Sequence, residues 1–249
     1  MTRIVEVVEY NPNWPKFFAS ETKLLIEALG DNCIVVHHIG STSVPGLAAK
    51  PIIDILPVIK DLSKIDDSKL VAIGYTPRGE MGMPFRRFYN KGEPQRTHHL
   101  HIWENGNPEI QKHLLFKKHL ISHPEVATNA ELKFKLADKF RIDRENYTGA
   151  KDSLIKEILQ KSGFNGLTIV QANLPSEWQA YKKIMHIENP VISEQDLYFV
   201  LIQGVEIVGV AHIQKTPIMK IIALRCDNAV LENYMSSTLG QWTKSGPHD

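Results

Sequence analysis

Two short apolar runs, Cys33 to Val36 and Ile52 to Ile59, bracket a loop that reads Gly40-Ser41-Thr42-Ser43-Val44-Pro45-Gly46. Runs of this length, β-branched and bounded by turn residues, predict two buried strands with Gly40-Ser41 at the end of the first. Before them, Asn11-Pro12-Asn13 signals a turn. Phe17, Phe18, Leu24, Leu25 and Leu29 then fall on one face of a helix that Gly30 ends. Beyond them, Ser63 to Ile73 suits a helix stopped by Gly74, and Phe85 to Tyr89 and Thr97 to Trp103 suit an antiparallel pair joined by the polar Asn90 to Pro94 turn. From Asn107 to Lys161 the period is helical, with Asn107-Pro108-Glu109 as cap, a break at His123-Pro124 and a last amphipathic helix over Tyr147 to Gln160. The pattern changes at Ser162 to Gly166. A strand (Leu167 to Gln171), a helix (Ser176 to Ile187) and three strands (Leu197 to Ile202, Glu206 to Ile213, Ile218 to Leu224) follow, which is a helix-interrupted β-meander. The fold class is α/β (α+β), with one domain over residues 1–162 and a second over 167–249.

Composition narrows the classes. A chain of 249 residues has material for one large or two smaller cores, and its net charge of +1 gives no global electrostatic reason to bind nucleic acid or an anionic membrane. Cys33 and Cys226 are the only cysteines, which fits a reduced, cytoplasmic chain; Cys33 reads as a small core residue. The first residues, MTRIVEVVEY, carry acids and no long apolar run, and no segment approaches the ~18 apolar residues of a membrane span.

Candidate chemistry gathers around the loop. Gly40 lets the backbone approach a phosphate, and Ser41 with nearby N–H groups can donate to phosphate oxygens, although an ordinary turn would also look this way. Asp54, between Ile52, Ile53, Ile55 and Leu56, needs a salt bridge to Lys50 or Arg86, or a metal, since an isolated carboxylate in an apolar strand is costly. Lys50 is either a solvated loop charge or a triphosphate contact. His99 and His101 alternate along one strand and leave the same face, a pair suited to Zn²⁺, Mn²⁺ or Ni²⁺ or to general-base work. His37, His38 and His98 have weaker claims. Arg86 and Arg87 point to opposite faces, so at most one reaches a site. Tyr147 and Lys151, four apart on a helix, either staple it to the sheet or place Lys151 at the mouth of the cleft. His113, Lys117, Lys118, Lys133, Lys135, Lys139 and Arg141, interleaved with acids, read as a solvated helix face, so a nucleic-acid partner is not expected.

The ordered blocks Tyr10 to Pro15, GSTSVPGLAAKPIIDI, Gly74-Tyr75, Arg86-Arg87-Phe88, His99-Leu100-His101, His113-Leu114 and Tyr147 with Lys151 resemble the GrpB family over about residues 5–161. The resemblance implies a minimal nucleotidyltransferase fold with a helical carboxy-terminal tail. It implies that Asp54, His99 and His101 serve as metal ligands and catalytic residues, and that Gly40, Ser41, Lys50, Arg86 and Lys151 contact nucleotide phosphate. The cofactor would be Mg²⁺ or Mn²⁺, with Zn²⁺ the alternative, and the substrates a nucleoside triphosphate and a small-molecule acceptor. The wider nucleotidyltransferase pattern has carboxylates at i and i+2; here the second position is Leu56. A nucleotide-binding or interaction module without turnover is therefore the competing reading. Residues 167–249 resemble the first half of a GNAT acetyltransferase. They lack its glycine-bearing pyrophosphate loop after the fourth strand, so acetyl-CoA is not expected there and the segment should pack on the first domain or on a second copy of the chain, a homodimer. GrpB-like domains also occur fused to dephospho-CoA kinase, which suggests a link to coenzyme A.

Overall fold

The computed structural model describes residues 7–127, 144–215 and 218–245. Two compact units are distinguished, one formed by Met1–Arg78 with Arg87–Phe164 and the other by Gly79–Arg86 with Asn165–Asp249.

In the first unit, helix α1 (Trp14–Leu29) begins with Pro15 in its first turn and ends at Gly30, whose φ of 54° suits glycine. Strands β1 (Cys33–Ile39), β2 (Ile53–Ile59), β3 (Tyr75–Pro77), β4 (Arg87–Lys91) and β5 (His98–Glu104) form one sheet in the order β1-β2-β5-β4-β3. The β2–β5 pair is parallel and the others antiparallel. Strand period two divides β2 and β5 cleanly. Ile53, Ile55 and Ile59 with Leu100 and Ile102 pack under Trp14 and Leu25 of α1. Asp54, Leu56, His99 and His101 therefore leave the opposite face. Helix α2 (Asp67–Ala72) precedes β3; α3 (Pro108–Ser122), α4 (Pro124–Ala127) and α5 (Arg144–Lys161) follow the sheet. Asn107 caps α3 by accepting from the Glu109 N–H at 3.0 Å, as its sequence signal predicts.

Three local expectations are corrected. The start of β1 is not buried: Ile34 and Val35 are 48% and 40% exposed, because β1 is an outer strand, and Cys33 is only partly covered. The single helix expected over Ser63 to Ile73 is a short turn (Leu62–Lys64) followed by α2, since Asp61 and Asp66 each cap a separate start by accepting from Ser63 N and Ser68 N. Phe85 and Arg86 do not belong to a strand. Phe85 has a φ of 64°, incompatible with an extended run, so β4 starts at Arg87.

The second unit is an antiparallel sheet of β6 (Leu167–Gln171), β7 (Asp196–Gln203), β8 (Glu206–Gln214) and β9 (Lys220–Cys226) in that order. Helix α6 (Pro175–Met185) covers one face through Tyr181, against Tyr198, Val200 and Val210. Helix α7 (Ala229–Ser245) covers the other through Leu231, Met235, Leu239 and Trp242. The segment Gly79–Arg86 is built into this unit. Gln171 N–H donates to Gly82 O at 2.7 Å, and buried Glu80 accepts from Trp242 Nε1 at 2.6 Å and from Phe85 N at 2.8 Å. Removing that carboxylate leaves two donors without these bonds, at about 1–3 kcal/mol each. Glu80→Ala is expected to destabilise the second unit by about 2–4 kcal/mol in chemical unfolding followed by tryptophan fluorescence, with Glu80→Gln restoring part of the loss.

Candidate functional site

The register of β1, β2 and β5 assembles the site. Ile39 of β1 lies opposite Asp54 of β2, and Asp54 lies beside His99 of β5. The chain turns at Gly40 directly over the Asp54 carboxylate; a Cβ on Gly40 would lie 2.3 Å from Asp54 Oδ2. His99 Nδ1–H donates to Asp54 Oδ1 at 3.1 Å, and His101 Nε2 stands 3.9 Å from the same oxygen. Burial alone raises the Asp54 carboxyl, but the adjacent imidazoles of His101 and His99 hold it well below the usual carboxylate range. The ligand atoms of these three residues lie within 4.8 Å of one another, making the group one that could hold a metal ion. In a tetrahedral centre with bonds near 2.1 Å, ligand atoms stand about 3.4 Å apart. The 3.1 and 3.9 Å separations bracket that spacing, and His99 Nδ1 would give up its proton in order to ligate an ion. His99 Nε2 is buried and has no hydrogen-bond partner among the described residues, and Phe88 of β4 packs against both imidazoles.

Helix α3 borders this group, which its reading as a solvated face did not foresee. The His113 ring lies 5.9 Å from that of His101, centroid to centroid. Burial lowers the His113 pKa to about 4, against a raising influence of Glu109, so the ring is neutral at pH 7. One turn on, Lys117 Nζ donates to the His38 carbonyl at 2.8 Å, and burial lowers the ammonium pKa. The spacing Glu109-His113-Lys117, four and four, is the signal that could have placed these residues on one inward stripe. Lys118 is exposed as expected, whereas Lys133, Lys135, Lys139 and Arg141 lie outside the described residues.

The remaining candidates are placed as follows. Ser41 begins the turn after Gly40 and is partly buried. Lys50 stands on the loop between the Val8–Ala49 bridge and β2. Arg86, assigned to the second unit, donates to the carbonyls of Glu80 and Met81, both at 3.1 Å, so a loop-bracing role accounts for it. Arg87 shares a face of β4 with Tyr89, which packs in the α1-covered core, opposite the histidines. Where a salt bridge to Lys50 or Arg86 was anticipated for Asp54, the structure sets the imidazoles of His99 and His101 beside its carboxylate. The side chains of Tyr147 and Lys151 lie outside the described residues. His38 stacks on Phe18 of α1 at 4.7 Å and donates from Nε2 to Thr42 Oγ1, whose own proton goes to Ile52 O. It fixes the turn. His98 faces Glu21 and bonds Thr97 Oγ1, on the α1 side of the sheet.

Comparison with known proteins places this arrangement. The family described as GrpB protein matches residues 4–161. The UPF0157 protein YqkA of Bacillus subtilis (strain 168) is 43% identical over 157 residues, covering 62% of this chain and 46% of that protein, so the chain spans about half the length of this relative. A dephospho-CoA kinase of Mycolicibacterium paratuberculosis is 26% identical over 187 residues, 64% of this chain and 46% of the kinase. The crystal structure of conserved protein GrpB from Enterococcus faecalis aligns with a TM-score of 0.61 and 41% identity, covering 63% of this chain and 96% of that one. A family match across most of the first unit, joined to a solved relative that is covered almost whole, means that this chain belongs to the GrpB family.

Proposed function

We propose that the first unit is a metal-dependent nucleotidyltransferase that moves a nucleotidyl group from a nucleoside triphosphate to a small acceptor. The observation that carries this reading is the convergence of Asp54, His99 and His101 directly under the Gly40-Ser41 turn. The mixed sheet, with a Gly-Ser turn after one strand and a carboxylate on its neighbour, supports a nucleotidyltransferase fold. Asp54 with one of His99 and His101 would hold the ion, the other imidazole completing the shell or acting as base, and imidazole ligands favour Mn²⁺ or Zn²⁺ over Mg²⁺. A bound divalent ion supplies Lewis-acid polarisation of a phosphoryl oxygen. Gly40 leaves room for phosphate close to the backbone, and the Ser41 hydroxyl donates to it. The acceptor oxygen attacks the α-phosphorus, the bond to the bridging oxygen breaks, and pyrophosphate leaves. The acceptor proton passes to His99 or His101, whichever is not engaged as a ligand. By register, His101 stands beside Leu56, where the wider pattern has its second carboxylate.

The similarity to a dephospho-CoA kinase supports a small acceptor connected with coenzyme A. The second unit, with its strand, helix, three antiparallel strands and closing helix, supports a GNAT-like reading without acetyl transfer. At the start of α7, Asn228 Oδ1 accepts from the Val230 and Leu231 N–H groups, both at 3.1 Å. Those are donors that a coenzyme A pyrophosphate would need.

One observation favours binding without turnover: Leu56 is fully buried, so its position adds no carboxylate. Pyrophosphate release from each of the four ribonucleoside triphosphates, measured with Mn²⁺, Mg²⁺ and Zn²⁺ and candidate acceptors, separates the readings. Metal-dependent release is the expected result. Thermal stabilisation by nucleotide with no release would make the unit a binding module.

A further inference from the structure

The face above Asp54 holds hydrogen-bond donors beyond three metal ligands, one of them the Lys117 ammonium. Helix α3 brings His113 against His101 and Lys117 to the end of β1, while His37, opposite Leu56, is partly exposed on the same sheet face as Asp54. Lys117 is half-buried, yet among the described residues no carboxylate lies within ion-pair distance of it; its ammonium has the His38 carbonyl as a hydrogen-bond partner. Taking an ammonium out of water without a counter-charge is unfavourable, and an anionic ligand removes that cost. The position is specific. Lys117 is bonded to the carbonyl one residue before Ile39, the strand partner of Asp54, and the Gly40 to Ser43 turn lies next along the chain.

We propose that α3 forms the anion-binding wall of this site, with Lys117 anchoring the end of a polyphosphate chain remote from the Asp54–His99–His101 group and His113 donating a hydrogen bond to an oxygen nearer to it. This deepens the nucleotidyltransferase reading, on which it rests for the location of the metal. A polyphosphate suits the arrangement better than a single phosphate: it carries several charges along a chain, and here two donors stand one helical turn apart on α3 with the glycine turn beside them. Lys117 acts as a point charge with rotatable donors, one of which the His38 carbonyl already uses.

Isothermal titration of the full chain with inorganic tripolyphosphate, in the presence and absence of Mn²⁺, tests this. The parent should bind tripolyphosphate more tightly than orthophosphate, with affinity falling as salt is raised. Lys117→Met should weaken tripolyphosphate binding at least tenfold while leaving Mn²⁺ affinity unchanged, and Lys117→Arg should recover part of the loss. His113→Phe, which keeps a ring but no donor, should weaken it less. Equal tripolyphosphate affinity in parent and Lys117→Met overturns the inference, as does a parent that binds Mn²⁺ but no tripolyphosphate. A Lys117→Met chain that loses tripolyphosphate binding only in proportion to a lowered melting temperature, with no recovery in Lys117→Arg, assigns the lysine to bracing β1 and also overturns it. Failure of the parent to bind Mn²⁺, with tripolyphosphate still held through Lys117, instead sinks the metal reading and leaves the anion wall standing.

Discussion

Replacing Asp54 with alanine is expected to lower Mn²⁺ and Zn²⁺ affinity by ~100-fold or more, since loss of a ligand should exceed the 10- to 100-fold effects of outer-shell partners. Titration calorimetry on the full chain checks this, and unchanged affinity would mean that the carboxylate is structural. The same change has a stability cost. Alone in an apolar strand, Asp54 would burden the fold, and its removal would cost little; the structure instead pairs it with His99 and His101. Hydrogen bonds to charged groups contribute about 1.5–3 kcal/mol, and Asp54→Ala should forfeit an amount of that order. The sign with pH follows from the depressed carboxyl. Its folded pKa lies below its unfolded value, so the pairing stabilises the protein above the ordinary carboxyl range, near pH 4, and the contribution is lost as pH falls through the folded value. The stability gap between parent and Asp54→Ala should therefore be largest well above pH 4 and shrink on acidification.

Gly40→Ala should be nearly as damaging, although the substitution adds one methyl group. Gly40 has φ 69° and ψ −173°, a region that is essentially glycine's alone and costs other residues about 1–3 kcal/mol. The new Cβ would also fall 2.3 Å from Asp54 Oδ2, displacing a carboxylate that two imidazoles hold in place. A total loss of about 3 kcal/mol, with metal affinity reduced at least tenfold, is expected. A double-mutant cycle separates the parts, because in the Asp54→Ala background the clash disappears and only the backbone strain remains. Additive effects in that cycle would show that Gly40 and Asp54 are not in contact.

These two residues also mark how far local pattern reaches. The turn at Gly40, the apolar strand around Asp54 and the period-two pair His99 and His101 are properties of short windows, and elements set by such windows were readable: α1, β2, β5, the α3 cap and the whole β6 to β9 meander. Errors arose where a window carries two meanings. Cys33 to Val36 has the composition of a buried strand, but exposure depends on whether a neighbour lies on each side, and among the described residues β1 pairs with β2 alone. Phe85 and Arg86 continue an apolar-basic alternation, yet Glu80 bonds the Phe85 N–H and Arg86 bonds two loop carbonyls, which places the segment with Trp242, far along the chain.

The same division holds for the site. Residue types alone determined which groups can take a metal or a phosphate, because that is a property of imidazole, carboxylate and an exposed backbone. Which of them meet was decided by register: the parallel pairing of β2 with β5 sets Asp54 beside His99, and the antiparallel pairing of β1 with β2 carries Gly40 over its carboxylate. Charge on a helix carries even less local information. His113 and Lys117 look like solvent-facing residues in any window of α3, and only the tertiary structure sets them beside His101 and the His38 carbonyl, on strands whose pairing is non-local.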